Sequence, residues 1–329
     1  MKITFAILAS SNDNYDDFKK VWIKNIEHLK SSAYKNCIDF YFIYSELNNL
    51  ENLDNLIKLN NGDIIQIDSS GDFYNYYYKY DRQQSLMDSL LYRSISLMEY
   101  LKTNEILGDF FIRTNLTTFF DLYSLLKWSQ SIPRTNLFAG TLLSKINSMY
   151  THLSGTNLTL SRDVVEFVIL NKAHILDESM INKEIEPVLI GDDARISSLV
   201  IENTNVHMLL IKRLDLIEIS YEDTYFPPCI ILQNAENLDN VFCYRFKTMN
   251  RDADVQSMNQ LYDTIYSNNF NLKYYIENVL SQKYTSIYKQ NQEQESLTST
   301  TFKINRHLDI MNVYHHYKNI LFEYPKTML

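Results

Sequence analysis

Apolar residues switch between two periods along the first 145 residues. Ile3-Thr4-Phe5-Ala6-Ile7-Leu8-Ala9 is a short apolar run of the kind a buried strand needs, and Phe18, Val21, Trp22, Ile26 and Leu29 follow at helical spacing. Two compact β-branched and aromatic runs come next, Ile38 to Tyr44 (IDFYFIY) and Asp63 to Asp68 (DIIQID). A helix period then runs from Leu86 to Leu101 through Leu90, Leu91, Ile95, Leu97 and Met98, before another strand at Asp109 to Asn115. This alternation predicts an α/β, Rossmann-like fold with a mostly parallel sheet flanked by helices, whose ligand sites lie beyond the carboxyl ends of the strands. Ser10, Ser45, Asp68 and Arg113 to Asn115 occupy those ends.

Further along, Asn136 to Leu143 and Asn157 to Leu160 read as strands, and Ser161-Arg162-Asp163 opens a helix with a hydroxyl placed to cap it. A second helix starts near Gly191-Asp192-Asp193, a strand spans Val206 to Ile211, and Val255, Met258, Leu261 and Ile265 keep a helix period. Lys289 to Thr301 is polar enough for a loop or linker, and a last helix carries Ile310, Val313, Tyr317, Ile320 and Tyr324.

Composition narrows the function. A net charge of −9 argues against the broad basic face of a nucleic-acid-binding protein, while leaving room for a local basic pocket. No run reaches the length of a membrane span and the first residues do not resemble a signal peptide, so the expected location is cytoplasmic. Cys37, Cys229 and Cys243 lack the spacing of a zinc site or a disulfide framework. Glycine-rich phosphate loops and the motifs of zincins and α/β-hydrolases are also absent.

Three groups could carry chemistry. Asp192-Asp193 at a helix start is either an ordinary dipole-favoured cap or a general base. In Phe242-Cys243-Tyr244-Arg245-Phe246-Lys247, alternation aims Arg245 and Lys247 to one side of an extended chain, which suits a diphosphate clamp as well as a solvated strand edge. Arg113-Thr114-Asn115 follows an apolar strand directly, as either a ligand-facing end or a strand entering solvent would. An aromatic run, Asp72 to Lys79, could stack on a sugar or pack under a loop.

Taken in order, these groups resemble the β1,3-galactosyltransferase-like branch of GT-A glycosyltransferases, with its N-acetylglucosaminyltransferase and Fringe-like relatives. Phe73-Tyr74-Asn75-Tyr76-Tyr77-Tyr78-Lys79 is similar to that family's aromatic-x-Asn-Leu-Thr-x-Lys stretch, with Asn75 and Lys79 retained. Where the family has the acidic metal-binding (DxD) motif, this chain has Arg113-Thr114-Asn115 and no acid. Gly155-Thr156-Asn157-Leu158-Thr159-Leu160-Ser161-Arg162-Asp163-Val164 resembles the acceptor-side motif, and Asp192-Asp193-Ala194 the late acidic motif.

The resemblance implies a GT-A-like domain over residues 1–250, with a nucleotide-sugar half at about 1–120, an acceptor half at about 121–250, and a helical C-terminal extension at 251–329. It implies transfer of a hexose or N-acetylhexosamine from a nucleotide-sugar to a hydroxyl of a glycan or glycoconjugate, with inversion. Asp193 is the expected base, with Asp192 as the neighbouring candidate. Donor contacts are expected from Ala9, Ser10, Asn75, Lys79, Arg113, Asn115, Arg245 and Lys247, and acceptor contacts from Ser154, Gly155 and Thr156. With the acidic motif lost, no metal ligand is assigned and neither Mn²⁺ nor Mg²⁺ is expected to be obligatory. The alternative is a catalytically inactive GT-A-like glycan-binding or structural protein. No nucleic acid or membrane partner is expected, and the C-terminal helices are a candidate surface for a homo-oligomer.

Overall fold

Ile3–Leu8 forms β1, and every residue in it is buried, as befits a central strand covered on both faces. β1 pairs in parallel with β2 (Ile38–Ile43) on one side and with β3 (Phe110–Asn115) on the other. The computed structural model describes residues 1–9, 15–43, 82–144, 151–176, 192–221, 224–233, 240–248, 250–267 and 275. The chain divides into two compact units, Met1–Lys273 and Tyr274–Leu329, and all elements named below belong to the first.

The main sheet has the order β2-β1-β3-β8-β5-β9, where β8 (Leu158–Ser161) runs against both neighbours and β5 (Leu137–Gly140) pairs in parallel with β9 (His207–Leu210). Helix α1 (Asp16–Lys30) covers one face through Phe18, Val21, Trp22, Ile26 and Leu29. Phe5 stacks on Phe40 with centroids 5.4 Å apart and tilts against Trp22 at 5.9 Å. Losing the Trp22 ring from that cluster would cost about 3–5 kcal/mol. The polar groups on this face are satisfied: Trp22 Nε1 donates to the Leu116 carbonyl at 3.1 Å and Asn25 Nδ2 to that of Phe120 at 3.0 Å.

The opposite face is covered by α2 (Arg82–Thr103); α3 (Leu122–Ser129) instead stands beside α1, its Tyr123 ring 5.9 Å from that of His28, and the cover is completed by α4 (Arg162–Leu170), α5 (Lys172–Leu176) and α6 (Asp192–Asn203). Ile95, Met98, Val165, Val168, Ile196 and Val200 from these helices meet Ala6, Leu8, Phe111 and Phe138 of the sheet. The mainly parallel α/β layering expected from the hydrophobic pattern is therefore present.

A second sheet, β11-β10-β12-β4, is built from β4 (Thr118–Phe120), β10 (Arg213–Tyr221), β11 (Thr224–Gln233) and β12 (Cys243–Lys247). The chain passes from the first sheet to the second in a tight turn, where Asn115 Oδ1 accepts from the hydroxyls of Thr117 and Thr118 at 3.0 and 2.9 Å. Pro227 and Pro228 are tolerated because β11 is an edge strand, and the β10–β11 register shifts opposite them, between Ile217 and Ile219.

Several sequence expectations change. The strand expected at 136–143 breaks at Thr141, whose N–H donates to Asn157 Oδ1 at 3.0 Å, and resumes as β6 (Leu142–Ser144), paired with β7 (Thr151–Leu153). Ser161 precedes α4 without capping it, because its hydroxyl accepts from the Leu137 N–H across the sheet and donates to Asp163. Helix α7 (Arg251–Ile265), expected in the C-terminal extension, lies within the first unit. It is tied to α1 by the Lys24–Asp263 ion pair at 2.8 Å and by Tyr266, whose hydroxyl donates to Asn25 Oδ1. The strand expected at 63–68, the polar stretch from 289 and the last helix lie outside the described residues.

Candidate active site

Arg113 stands two residues beyond Phe111 on β3, hence on the sheet face that α6 covers, and α6 begins with Asp192. Its Nη2 meets Asp192 Oδ2 at 2.6 Å, with both side chains almost sealed from solvent. Nη1 of the same guanidinium donates to the carbonyl of Gly155. Burial lifts the Asp192 carboxyl above the ordinary carboxylate range, and the Arg113 charge opposes that lift.

Asp193 is built differently. Its Oδ2 accepts from the Gly155 N–H at 2.8 Å, its Oδ1 from the Ala194 N–H at 3.0 Å, and His152 Nε2 stands 3.9 Å away. Its side chain is 20% exposed, against 4% for Asp192. Adjacent acids cannot be ranked by spacing, but here one is closed in a buried ion pair and the other reaches solvent.

Both acids are organised around Gly155, the middle residue of the turn from β7 to β8. A Cβ there would run into the Arg113 guanidinium and come within 3.0 Å of Asp193 Cβ, so the space expected to admit an acceptor beside this glycine is filled by protein. Gly155→Ala should therefore lower the unfolding free energy by about 1–3 kcal/mol, the usual penalty for inserting a methyl into a filled site. Chemical denaturation checks this, and a change below about 0.5 kcal/mol would show that Arg113 can withdraw freely.

A second buried ion pair was not foreseen. Arg213, at 0% exposure, reaches Asp215 through Nε at 2.5 Å and through Nη2 at 2.8 Å, a two-pronged pairing. Its Nη1 donates to Ser154 Oγ at 2.8 Å and to the Thr156 hydroxyl. Thr114 Oγ1 donates to the Thr156 carbonyl at 2.6 Å, so the turn is gripped from β3 and from β10. The hydroxyls of Ser154 and Thr156, candidates for acceptor contact, are buried and turned toward Arg213.

On β12 the alternation is as the sequence suggested. Tyr244 and Phe246 are buried, while Cys243, Arg245 and Lys247 grade from buried to exposed along the strand. In register, Arg245 lies beside Asp215 of β10 and Thr118 of β4. Burial lowers the proton affinity of the Arg245 guanidinium, and the Arg213 charge lowers it further, whereas Asp215 and Asp193 favour the charged form. Its Nε, closed to solvent, has no hydrogen-bond partner among the described residues. Lys247 is likewise pushed down, by burial and then by Arg245 and Arg251. Burial also raises the Cys243 thiol far above its ordinary range, which makes it a poor nucleophile.

Three guanidiniums and three carboxylates thus meet where the two sheets adjoin. Arg113 is matched with Asp192 and Arg213 with Asp215, while Arg245 and Asp193 have no direct ion pair with each other, and Lys247 adds a further cation. Among the described residues no three His, Cys, Asp or Glu side chains gather as metal ligands. Of the other expected donor residues, Ala9 follows β1 directly, with its N–H on the Ile43 carbonyl at 2.8 Å, and Asn115 holds the sheet-crossing turn. Ser10, Ser45, Asp68, Asn75, Lys79 and the aromatic run around them lie outside the described residues.

No family model matches this chain and no curated protein matches it. Among solved structures, it is similar to a glycosyltransferase involved in glycosylation of the major capsid of PBCV-1, with a TM-score of 0.43 and 9% identity over 79% of this chain and 100% of the other. It is also similar to the galactosyltransferase LgtC in complex with donor and acceptor sugar analogs, with a TM-score of 0.38 and 14% identity over 66% of this chain and 76% of that one. Among the described residues no helix is long and apolar enough to cross a membrane.

Proposed function

We propose that this chain is a glycosyltransferase that moves a hexose or N-acetylhexosamine from a nucleotide-sugar to a hydroxyl of a glycan or glycoconjugate, with inversion and without an obligatory metal. The observation that carries this reading is Arg245, a guanidinium whose enclosed Nε lacks a partner among the described residues, within electrostatic reach of the partly exposed carboxylate of Asp193. A buried charge without a hydrogen-bonded counter-ion is costly, and an anionic ligand would relieve that cost.

The steps follow from the placement. The acceptor hydroxyl gives its proton to an Asp193 carboxylate oxygen as its own oxygen bonds to the anomeric carbon. The bond from that carbon to the diphosphate breaks with its electron pair going to the diphosphate oxygen, and Arg245 and Lys247 stabilise the charge that develops there. Asp192 takes no proton in this scheme and serves to fix Arg113 beneath Gly155. Fixed cations supply what a divalent ion would otherwise supply.

The test is a thermal-shift panel of nucleotide-sugars with and without EDTA, followed by transfer assays on those that bind. A bound donor at 100 times its Kd should add about 2.7 kcal/mol to the unfolding free energy. Arg245→Ala with Lys247→Ala should weaken donor and nucleoside diphosphate together by about 10²-fold or more, given about 1.5–3 kcal/mol for each charge-assisted hydrogen bond. A folded double variant that binds both ligands like the parent would remove Arg245 and Lys247 from the donor site, leaving them as charges on an internal strand. An absolute Mn²⁺ or Mg²⁺ requirement would overturn the metal-free reading, and donor binding without transfer to any acceptor would favour the inactive scaffold.

A further inference from the structure

We infer that Arg213 is a positioning residue that holds the proton-accepting carboxylate and the cation strand in one frame, an inference that takes Asp193 as the base. Its guanidinium spends two donors on Asp215 and one nitrogen on the hydroxyls of Ser154 and Thr156, the residues flanking Gly155. Gly155 in turn holds Asp193 through its N–H. Asp215, the other end of the same pair, lies in register with Arg245. One side chain therefore links the turn that sets Asp193 to the strand that carries Arg245.

Stability alone does not account for this arrangement. Replacing a fully buried ion pair by apolar residues of similar volume is often neutral or stabilising, so the pair is weak evidence for a stability role. Arg213 is also aimed outside its own strand. Its fork closes on Asp215 within β10, yet the remaining nitrogen reaches across to the β7–β8 turn, where both hydroxyls accept from it and also lie 2.9 Å from one another. Arg113 holds the same turn by the Gly155 carbonyl, and Thr114 holds it by the Thr156 carbonyl. Three separate grips hold the turn on either side of Gly155, whose N–H sets where Asp193 points.

The variant that isolates this role is Ser154→Ala with Thr156→Val, which removes the hydroxyls that accept from Arg213 and leaves its pairing with Asp215. At saturating substrates kcat should fall by about 10- to 100-fold, the effect of a misplacement near 1 Å, with donor Kd and acceptor KM essentially unchanged. Exchange of the Gly155 amide hydrogen should accelerate in the same variant. Thr156→Ser, which keeps the hydroxyl, should restore kcat when combined with the native Ser154. Arg213→Lys keeps the charge without the fork and should match the double variant; it is the second route to the same reading if the double variant does not fold.

An unchanged kcat per folded molecule would overturn the inference. So would a raised acceptor KM at unchanged kcat, which would mean that the hydroxyls touch acceptor. If the parent protein transfers no sugar from any donor, the transfer reading fails separately and the positioning of a base falls with it, while Gly155 amide exchange still decides whether Arg213 holds the turn that sets Asp193: unchanged exchange in the variants removes even that.

Discussion

Asp193→Asn should lower sugar transfer by about 10²- to 10⁴-fold while leaving donor affinity nearly intact, because the amide keeps the shape of the carboxylate but cannot take a proton. The amide oxygen can still accept from the Gly155 N–H while the Ala194 N–H loses its acceptor, so Asp193→Asn should fold with a loss of about 1 kcal/mol. The neighbouring substitution separates the two acids. Asp192→Asn disturbs a closed ion pair with Arg113 and should lose stability more than it loses chemistry at the reacting hydroxyl. Steady-state kinetics with donor titration, read beside denaturation curves, compare the two directly. If Asp193→Asn transfers sugar at the parent's rate, Asp193 is not the base.

Arg113→Met should cost about 3–5 kcal/mol at neutral pH by leaving Asp192 buried without its cation. The dependence on pH has a definite sign. Burial already holds the Asp192 carboxyl above its ordinary range, and removing Arg113 takes away the charge that opposes this. A carboxyl whose folded pKa is raised contributes stability below its unfolded pKa, near 4, and that contribution is lost as pH rises through the folded value. The deficit of Arg113→Met relative to the parent should therefore grow from acid toward neutral and alkaline pH. Urea unfolding at pH 5 and pH 8 measures it, and a deficit that widened in acid would contradict the assignment. Adding Asp192→Leu to Arg113→Met should recover much of the loss, since no charge then remains buried.

The layered fold was legible wherever a hydrophobic period ran uninterrupted, as in β1, α1 and α6. The paired acids at the start of α6 and the alternation on β12 were also legible, because each is a local pattern. Rank within the acid pair was not, since it depends on Arg113, which reaches Asp192 from another strand. Arg213 and Asp215 went unseen for a related reason. In Arg213-Leu214-Asp215-Leu216 the apolar positions suggest one buried face and one wet face, yet here the charged face is buried against the β7–β8 turn. Pairing across a sequence separation of about sixty residues is what turns a surface-like pattern into an interior one, and no local period records it. Arg245 differs in that its neighbour Lys247 stays exposed, so the same alternation kept its outward reading.

The place of β12 in the second sheet also bears on the order in which the protein is made. β12 lies between β10 and β4, parallel to one and antiparallel to the other, although both precede it in the chain. During synthesis the main sheet has all its strands once β9 has emerged, whereas β4 must wait without a β12 partner until residue 247 leaves the ribosome. Long-range pairings of this kind form slowly. The charged junction is accordingly among the last parts of the described chain to close, and a nascent chain halted before β12 should display the facing edges of β10 and β4 to chaperones.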